Sequence, residues 1–283
     1  MGLERFRYRQ ALRAALRGVW AHVPGSADWF VGDAVMDAYV CAFTPESVDP
    51  DHNYEFFEIL GDASVNKSVT WYFQERFPHL RCAAGVPYLA RLKINTIAKS
   101  QLARWTIQLG LDPFVRGGQG WTYTGPGDAA PLSTTQMSVL EDVFEAMLGV
   151  TELRVDGLAG ARGAGYAAVY SLVARLLDPV PFELSYEALW DPKTRLKEVF
   201  DAQPGFRLAY VHNASGGDRG FAAEVWVHAG SGTVRRRLLA TSSPDPGRTF
   251  GRRIEAEQAA AERALAYLRS QPPLAQWHWD RGR

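Results

Sequence analysis

Cysteine is scarce in this sequence: the chain has two, Cys41 and Cys82, far apart and outside any CxxC pair. This scarcity excludes a disulfide framework and argues against a zinc site, which needs clustered thiolates or imidazoles. It is typical of a reducing compartment, so we expect an intracellular protein, and in the simplest case a cytoplasmic one. No apolar run approaches the length of a membrane span, so we expect no membrane association.

A net charge is also lacking, since 31 basic side chains balance 31 acidic ones, but the two signs are unevenly distributed. Residues 190–283 carry 15 lysines and arginines against 10 acidic residues, whereas residues 1–189 carry 16 against 21. A basic C-terminal part suits an anionic partner, and an acidic N-terminal part suits cations. Chance partitioning of the charges is the alternative.

Serine is absent from the N-terminal stretch 1–20, which carries five arginines against one acidic residue, Glu4. Organellar transit peptides are rich in serine as well as arginine. The apolar spacing favours a plain amphipathic helix, and organellar targeting is the alternative.

Beyond this stretch the chain divides into two parts with different periodicity. Up to residue 178, apolar spacing predicts helices around 54–77, 87–110, 138–151 and 158–177. A loop rich in glycine, proline, serine and threonine lies at 117–135. Prolines at positions 179 and 181 end the helical part, because proline lacks the amide hydrogen that a helix requires.

The C-terminal part predicts a small sheet between two helices. A helix is expected over 193–203, strands near 206–212, 220–229 and 233–241, and a closing helix over 253–268. The order is α-β-β-β-α. The whole pattern predicts an N-terminal helical extension at 1–28, an all-helical domain at 29–178, a linker at 179–190, an α-β-β-β-α domain at 191–271 and a frayed tail at 272–283.

Acidic residues recur at helical spacing in the segment Asn-Tyr-Glu-Phe-Phe-Glu-Ile-Leu-Gly-Asp at 53–62. On a helix, at about 100° per residue, Glu55, Glu58 and Asp62 fall within a sector of roughly 60°. A solvated face would usually place lysine or arginine among such acids, but none occurs before Lys67. The segment therefore presents three carboxylates on one helical face.

A second acidic pair, Asp142 and Glu145, has the same spacing of three residues beside the apolar Met147 and Leu148. Carboxylates on a largely buried helix need a partner. Mg²⁺, with Mn²⁺ as a second choice, prefers such oxygen-only ligands. Two amphipathic helices with incidental acidic faces are the alternative.

These segments resemble the ribonuclease III family. Residues 53–62 are similar to its Asn-Glu-x-x-Glu-Phe-Leu-Gly-Asp signature, residues 138–149 to its second acidic helix, and Ala-Phe-Thr-Pro-Glu-Ser at 42–47 to the segment before the signature. The resemblance covers roughly residues 30–270 and implies that residues 29–178 form an all-α ribonuclease III nuclease domain.

Carried over by position, the resemblance implies metal binding by Glu58, Asp62, Asp142 and Glu145, with Glu55 as a further acidic residue of the catalytic site. It implies Mg²⁺-dependent endoribonuclease activity on double-stranded RNA, leaving 5′-phosphate and 3′-hydroxyl ends. It also implies a homodimer that assembles through the nuclease domain. Ile59 stands where the family has a phenylalanine at the dimer seam, and Lys99 is interpreted as a solvent lysine, with a phosphate contact as the alternative.

The C-terminal part resembles a double-stranded-RNA-binding domain, which contacts 2′-hydroxyls and phosphates of A-form RNA. Asp-Pro-Lys-Thr-Arg-Leu at 191–196 is similar to its opening, and Glu-Gln-Ala-Ala-Ala at 257–261 to its closing helix. Glu255 stands where the family has a lysine. The resemblance implies RNA contacts by Thr194, Lys197, Glu198, Arg219, Arg252 and Arg253.

Two functions follow from these observations. The first is a divalent-metal-dependent endoribonuclease on double-stranded RNA. The second is a non-cleaving RNA-binding or ribosome-associated protein that kept the ribonuclease III fold. Retention of all four metal-ligand positions favours the enzyme, because a scaffold has no need for clustered acids.

Overall fold

The computed structural model describes residues 2–23, 27–118, 132–214, 220–229, 235–245, 249–271 and 280–281. The chain divides into two compact units, Met1–Phe182 and Glu183–Arg283. The division falls inside the stretch predicted as a linker, and the domain limits themselves stay predictions. Among the described residues, no helix is both long enough and apolar enough to cross a membrane.

The first unit is helical in its described residues. Its helices are α1 (Gly2–Trp20), α2 (Ala27–Phe30), α3 (Asp33–Ala42), α4 (Glu55–Arg76), α5 (Val86–Thr96), α6 (Lys99–Gln108), α7 (Thr134–Ala159) and α8 (Ala164–Leu177), with short 3₁₀ turns η1 (Pro78–Leu80) and η2 (Asp112–Phe114). The N-terminal stretch forms the predicted amphipathic helix, because Leu12, Leu16 and Trp20 of α1 are fully buried.

Helix α7 is the central element of the first unit and packs against α4, α6 and α8. It begins at a capping box, in which the Ser133 hydroxyl accepts the Gln136 amide and the Gln136 side chain accepts the Ser133 amide. It ends at Gly160, whose left-handed backbone (φ 63°) terminates the helix at little steric cost. Because α7 is surrounded by other helices, most of its middle is buried.

The single helix predicted over 87–110 is wrong, because the chain forms α5 and α6 with a break between them. Ala98 is extended (φ −61°, ψ 140°) and serves as the N-cap of α6. Before the break, the Thr96 hydroxyl donates back to the Leu92 carbonyl at 2.7 Å. The break turns the chain so that Lys99 begins a new helix against α7.

The second unit contains α9 (Tyr186–Leu189), α10 (Pro192–Asp201), β1 (Phe206–Ala214), β2 (Phe221–Ala229), β3 (Arg235–Thr241), α11 (Arg253–Arg269) and β4 (Asp280–Arg281). Its sheet is antiparallel, with strand order β1-β2-β3-β4. Alternate residues of β2, including Val225 and Val227, pack against Ala256, Ala260 and Ala264 of α11. From α10 to α11 the elements follow the predicted α-β-β-β-α order.

The tail differs from its prediction as a frayed end. Asp280 and Arg281 form a short strand that pairs with Arg236 and Arg235 of β3. The physical reason is that β3 has an open edge whose amides and carbonyls accept another strand. Residues 272–279 and 282–283 of the predicted tail lie outside the described part of the chain.

Candidate active site

Two helices supply the acidic residues of the site. Glu55 and Glu58 lie in the first turn of α4, and Asp142 and Glu145 lie in the middle of α7. The helices approach closely because Gly61 and Gly149 lie between them. A Cβ built on Gly61 would overlap the backbone of Glu145, and one built on Gly149 would overlap the carbonyl of Phe57.

This approach brings three of the predicted carboxylates together. Glu58, Asp142 and Glu145 each offer a carboxylate oxygen, and these oxygens all lie within 4.8 Å of one another. Glu145 is buried, with 6% of its surface exposed, and the other two are half-buried. We call Glu58, Asp142 and Glu145 the carboxylate cluster.

Ionisation of the cluster is opposed by burial and by mutual repulsion. Burial, followed by the charges of Asp62, Glu141, Glu58 and Asp142, raises the pKa of Glu145 to about 8. Burial and neighbouring acids raise the pKa of Glu58 to about 7. Burial also raises the pKa of Asp142, although the Tyr54 hydroxyl donates to this carboxylate at 3.0 Å. The cluster therefore favours protons or a bound cation over bare negative charge.

Asp62 and Glu55 lie at the rim of the cluster rather than within it. Both side chains are exposed, and neither belongs to the group of oxygens within 4.8 Å. The Asn66 side chain donates to the Asp62 carboxylate at 2.7 Å. Asp62 still acts on Glu145, and Glu55 on Glu58, because each raises the pKa of that neighbour by charge repulsion.

A further acid, Glu141, lies beside the cluster and was missed by the sequence reasoning. Only 8% of it is exposed, and its carboxylate pairs with the Lys99 ammonium. Lys99 keeps a largely exposed side chain, as expected of a solvent lysine, but its ammonium also has a partner, because the break before α6 brings it onto α7. The signal that could have identified Glu141 is its spacing: it lies four residues before Glu145, which places both acids on one face of the helix.

The predicted RNA contacts on α10 have partners within the second unit. The Thr194 hydroxyl donates to Asp191 at 2.5 Å, and the Thr194 amide donates to the same carboxylate at 3.1 Å, so Asp191 caps α10. The Lys197 ammonium pairs with Asp201 at 3.1 Å. The Tyr186 hydroxyl donates to the Glu198 carboxylate.

The predicted contacts on α11 are also engaged. Arg252 pairs with Glu255 at 2.8 Å, and the Glu255 carboxylate accepts the Arg252 amide at 3.3 Å. Arg253 donates to buried Glu257 at 3.2 Å. Arg219 lies outside the described residues.

Buried Glu257 was also missed by the sequence reasoning. Lys193, His212 and Arg253 all contact its carboxylate. Burial opposes its ionisation, but these partners outweigh burial and leave its pKa lowered. The three basic residues come from α10, β1 and α11, so no local spacing in the sequence could have grouped them.

Comparison with known proteins shows which family has acidic residues in this part of the chain. The Ribonuclease III domain family matches residues 55–155, which contain the acidic residues of α4 and α7 described above. The ribonuclease 3 of Aromatoleum aromaticum is 31% identical over 222 residues, which cover 77% of this chain and 84% of that protein. The chain belongs to the ribonuclease III family.

Two viral proteins that carry the provisional name ribonuclease 3 are also similar to this ribonuclease III family member. The protein of Frog virus 3 is 36% identical over 198 residues, which cover 70% of this chain and 47% of the viral protein. The protein of Invertebrate iridescent virus 6 is 35% identical over 179 residues, which cover 59% of this chain and 58% of the viral protein. The matched part of the chain thus spans about half the length of these viral relatives.

Proposed function

We propose that this chain is a divalent-metal-dependent endoribonuclease that cleaves double-stranded RNA and leaves 5′-phosphate and 3′-hydroxyl ends. The observation that carries the proposal is the carboxylate cluster of Glu58, Asp142 and Glu145, whose oxygens lie within 4.8 Å of one another. Membership of the ribonuclease III family supports this assignment, because the cluster lies in the matched stretch 55–155.

The cluster fits a hard divalent cation. Its donors are carboxylate oxygens, the ligands that Mg²⁺ and Mn²⁺ prefer, and their pKa values are raised by burial first and by neighbouring carboxylates second. Glu58, Asp142 and Glu145 would hold the ion, with Asp62 contributing from the rim. A bound ion of this kind activates water at neutral pH and stabilises charge on a phosphodiester.

Neighbouring residues orient these ligands. The Tyr54 hydroxyl fixes one oxygen of Asp142 at 3.0 Å, and the Asn66 amide fixes Asp62 at 2.7 Å. Both donors limit the rotation of their carboxylates, which keeps the ligand geometry ready for an ion. Tyr54 is buried, so it also keeps bulk water from one side of Asp142.

The proposal includes a double-stranded-RNA-binding role for the second unit. Its α-β-β-β-α order and the basic surplus of residues 190–283 support this role. Lys197, Arg252 and Arg253 keep largely exposed side chains despite their ion pairs, so they remain accessible to phosphates. Exposed ion pairs are weak, and a phosphate can replace their carboxylate partners at small cost.

The proposal also includes a homodimer formed through α4. Ile59 is 71% exposed and Phe56 is 60% exposed on the first turns of this helix, beside half-buried Phe57. Adjacent apolar side chains in solvent are a feature of association surfaces. A dimer would supply two clusters, one for each strand of a duplex.

The proposal places the protein inside the cell. This location is in keeping with two free cysteines, Cys41 and Cys82.

The alternative function, a non-cleaving RNA-binding protein, accounts less well for the cluster. Buried carboxylates with raised pKa values destabilise a metal-free fold at neutral pH. A protein that only binds RNA gains nothing from this cost, whereas a metal-dependent nuclease requires it.

The test is incubation of the purified full chain with a long RNA duplex or a matched single strand, in Mg²⁺ or in EDTA. The proposal expects cleavage of the duplex in Mg²⁺ alone, and products that a ligase joins without prior phosphorylation. Duplex binding without cleavage in either Mg²⁺ or Mn²⁺ would instead support the non-cleaving alternative.

A further inference from the structure

The pair formed by Lys99 and Glu141 has a role beyond the metal ligands. We propose that Lys99, held in position by Glu141, donates to a phosphate oxygen of the RNA strand at the carboxylate cluster. Lys99 is then a phosphate-binding residue and Glu141 a positioning residue. The inference rests on the proposed nuclease function and adds the source of positive charge that the chain itself supplies.

The position of the pair follows from the packing of α6 on α7. Lys99 is the first residue of α6, and the extended Ala98 before it directs the chain toward α7. Glu141 lies next to Asp142 along α7 and one helical turn before Glu145. The ion pair therefore places the ammonium at the edge of the cluster.

The electrostatic environment supports this placement. The Lys99 ammonium lies close enough to Glu58 and Asp142 to attract both carboxylates. In turn the carboxylates of Glu141, Asp142 and Glu145 all attract the Lys99 ammonium. A substrate phosphate arriving at three carboxylates meets repulsion, and a fixed cation at the cluster edge reduces it.

Lys99 also has the freedom to reach a substrate. Its side chain is 63% exposed, whereas the side chain of Glu141 is 11% exposed. Within the described part of the chain, Glu141 is the one hydrogen-bond acceptor that the ammonium contacts. An ammonium has three donors, so two remain for phosphate oxygens.

The buried position of Glu141 is difficult to explain by stability alone. A carboxylate placed beside three others in a largely buried region costs desolvation and repulsion, which a small apolar side chain would avoid. A lysine has a long flexible stem, and a buried carboxylate that holds it reduces the entropy lost on phosphate binding. Glu141 is thus suited to fix the ammonium where the phosphate binds.

The competing account is that Lys99 only neutralises Glu141, and a double substitution separates the two. Lys99→Met leaves Glu141 unpaired, so both accounts expect a lower melting temperature and slower cleavage. In Lys99→Met/Glu141→Gln no unpaired charge remains, so the melting temperature should recover. Our inference expects cleavage to stay slow, on the order of 100-fold below wild type. Wild-type cleavage by the double variant would overturn it.

Binding provides a readout that does not depend on cleavage. In a Glu145→Gln background with Mg²⁺, duplex affinity is measured across a salt series. Lys99→Met should lower the slope of log affinity against log salt by about 0.9, as for one lost phosphate contact. In the same background, Lys99→Arg and Glu141→Gln should each retain the wild-type slope. In the chain that keeps Glu145, Glu141→Gln should lower kcat.

The two proposals fail separately in these experiments. An unchanged slope in Lys99→Met contradicts the Lys99 inference even if the wild-type chain cleaves RNA. A lowered slope without any wild-type cleavage supports Lys99 as a phosphate-binding residue and contradicts the proposed nuclease activity.

Discussion

Gly61 and Gly149 face each other where α4 contacts α7: a Cβ built on Gly149 would lie 3.0 Å from the backbone nitrogen of Gly61. Neither residue has the positive φ that favours glycine for conformational reasons. The reason for glycine here is space, because only hydrogen fits between the two backbones. Their contact sets the separation of Glu58 on one helix from Glu145 on the other.

Gly149→Ala is expected to push the helices apart. Overpacking of this kind costs about 1–3 kcal/mol, and the wider spacing should reduce both Mg²⁺ affinity and cleavage. Thermal melting and calorimetric Mg²⁺ titration measure the two effects.

Gly157→Ala is the matched control, because Gly157 lies on α7 with open space around it. There the alanine should stabilise the helix by about 0.5–1 kcal/mol. Unchanged Mg²⁺ binding in Gly149→Ala would refute the spacing argument.

The stability of the metal-free protein should fall as pH rises. Glu145 has a pKa raised to about 8 in the folded chain, above the ordinary value of 4.5. The folded state therefore binds this proton more tightly than the unfolded state, and the resulting stability is lost as pH rises through about 8. The loss is measured as the difference between the melting temperatures in EDTA at about pH 5.5 and about pH 8.5, which lie below and above the pKa of Glu145.

Glu145→Gln should flatten this pH dependence, because the amide cannot ionise. Mg²⁺ should raise the melting temperature of the wild-type chain at the higher pH and have little effect on the variant. Glu46→Gln, on the exposed surface of the same unit, is the control and should leave the pH dependence unchanged. A wild-type melting temperature that does not respond to pH or to Mg²⁺ would count against the cluster as a cation site.

Ile59→Asp should convert the proposed dimer to a monomer, since it places a charge in the apolar surface that starts α4. Sedimentation of the full chain measures the change in mass. Ile94→Asp is the matched control, because Ile94 is also a strongly exposed isoleucine but lies on α5. A wild-type chain that sediments as a monomer, or equal loss of mass in both variants, contradicts the proposed surface.

Glu255→Lys tests the RNA-binding role of α11. Glu255 pairs with Arg252 and accepts its backbone amide, so its loss should lower the stability of the second unit by about 0.3–1 kcal/mol. The substitution also frees Arg252 and adds a cation, so duplex binding should tighten and its salt slope should steepen by about 0.9 for each new phosphate contact.

The control for charge alone is Glu262→Lys, at an exposed position of the same helix. Equal tightening by the two variants would show that long-range attraction, rather than contact at the start of α11, accounts for the effect. Unchanged affinity in Glu255→Lys at every salt concentration would remove this end of α11 from the proposed RNA surface.

Local pattern was sufficient for most of the fold. Helix and strand periodicity depends only on residues close together in the sequence. It was therefore enough to predict the acidic faces of α4 and α7 and the alternating burial in β2. The break at Ala98 escaped prediction because both flanking segments have helical spacing. The pairing of Asp280 and Arg281 with β3 is a contact between distant parts of the chain, which periodicity does not encode.

The site was predictable in its chemistry but less so in its geometry. Glu58, Asp142 and Glu145 come together as expected, whereas Asp62 lies at the rim. The burial of Glu141 depends on where α6 packs, and Glu257 gathers partners from three separate elements. Such contacts arise only once the helices and strands have packed.

The central claim is that the carboxylate cluster performs metal-dependent cleavage, and Glu145→Ala tests it most directly. Single-turnover cleavage and equilibrium binding of the same RNA duplex are measured in Mg²⁺ for the wild-type chain, Glu145→Ala and the surface control Glu46→Ala. The account predicts that Glu145→Ala cleaves orders of magnitude more slowly while its duplex affinity stays nearly unchanged, with Glu46→Ala like wild type. Cleavage by Glu145→Ala at the wild-type rate would contradict it.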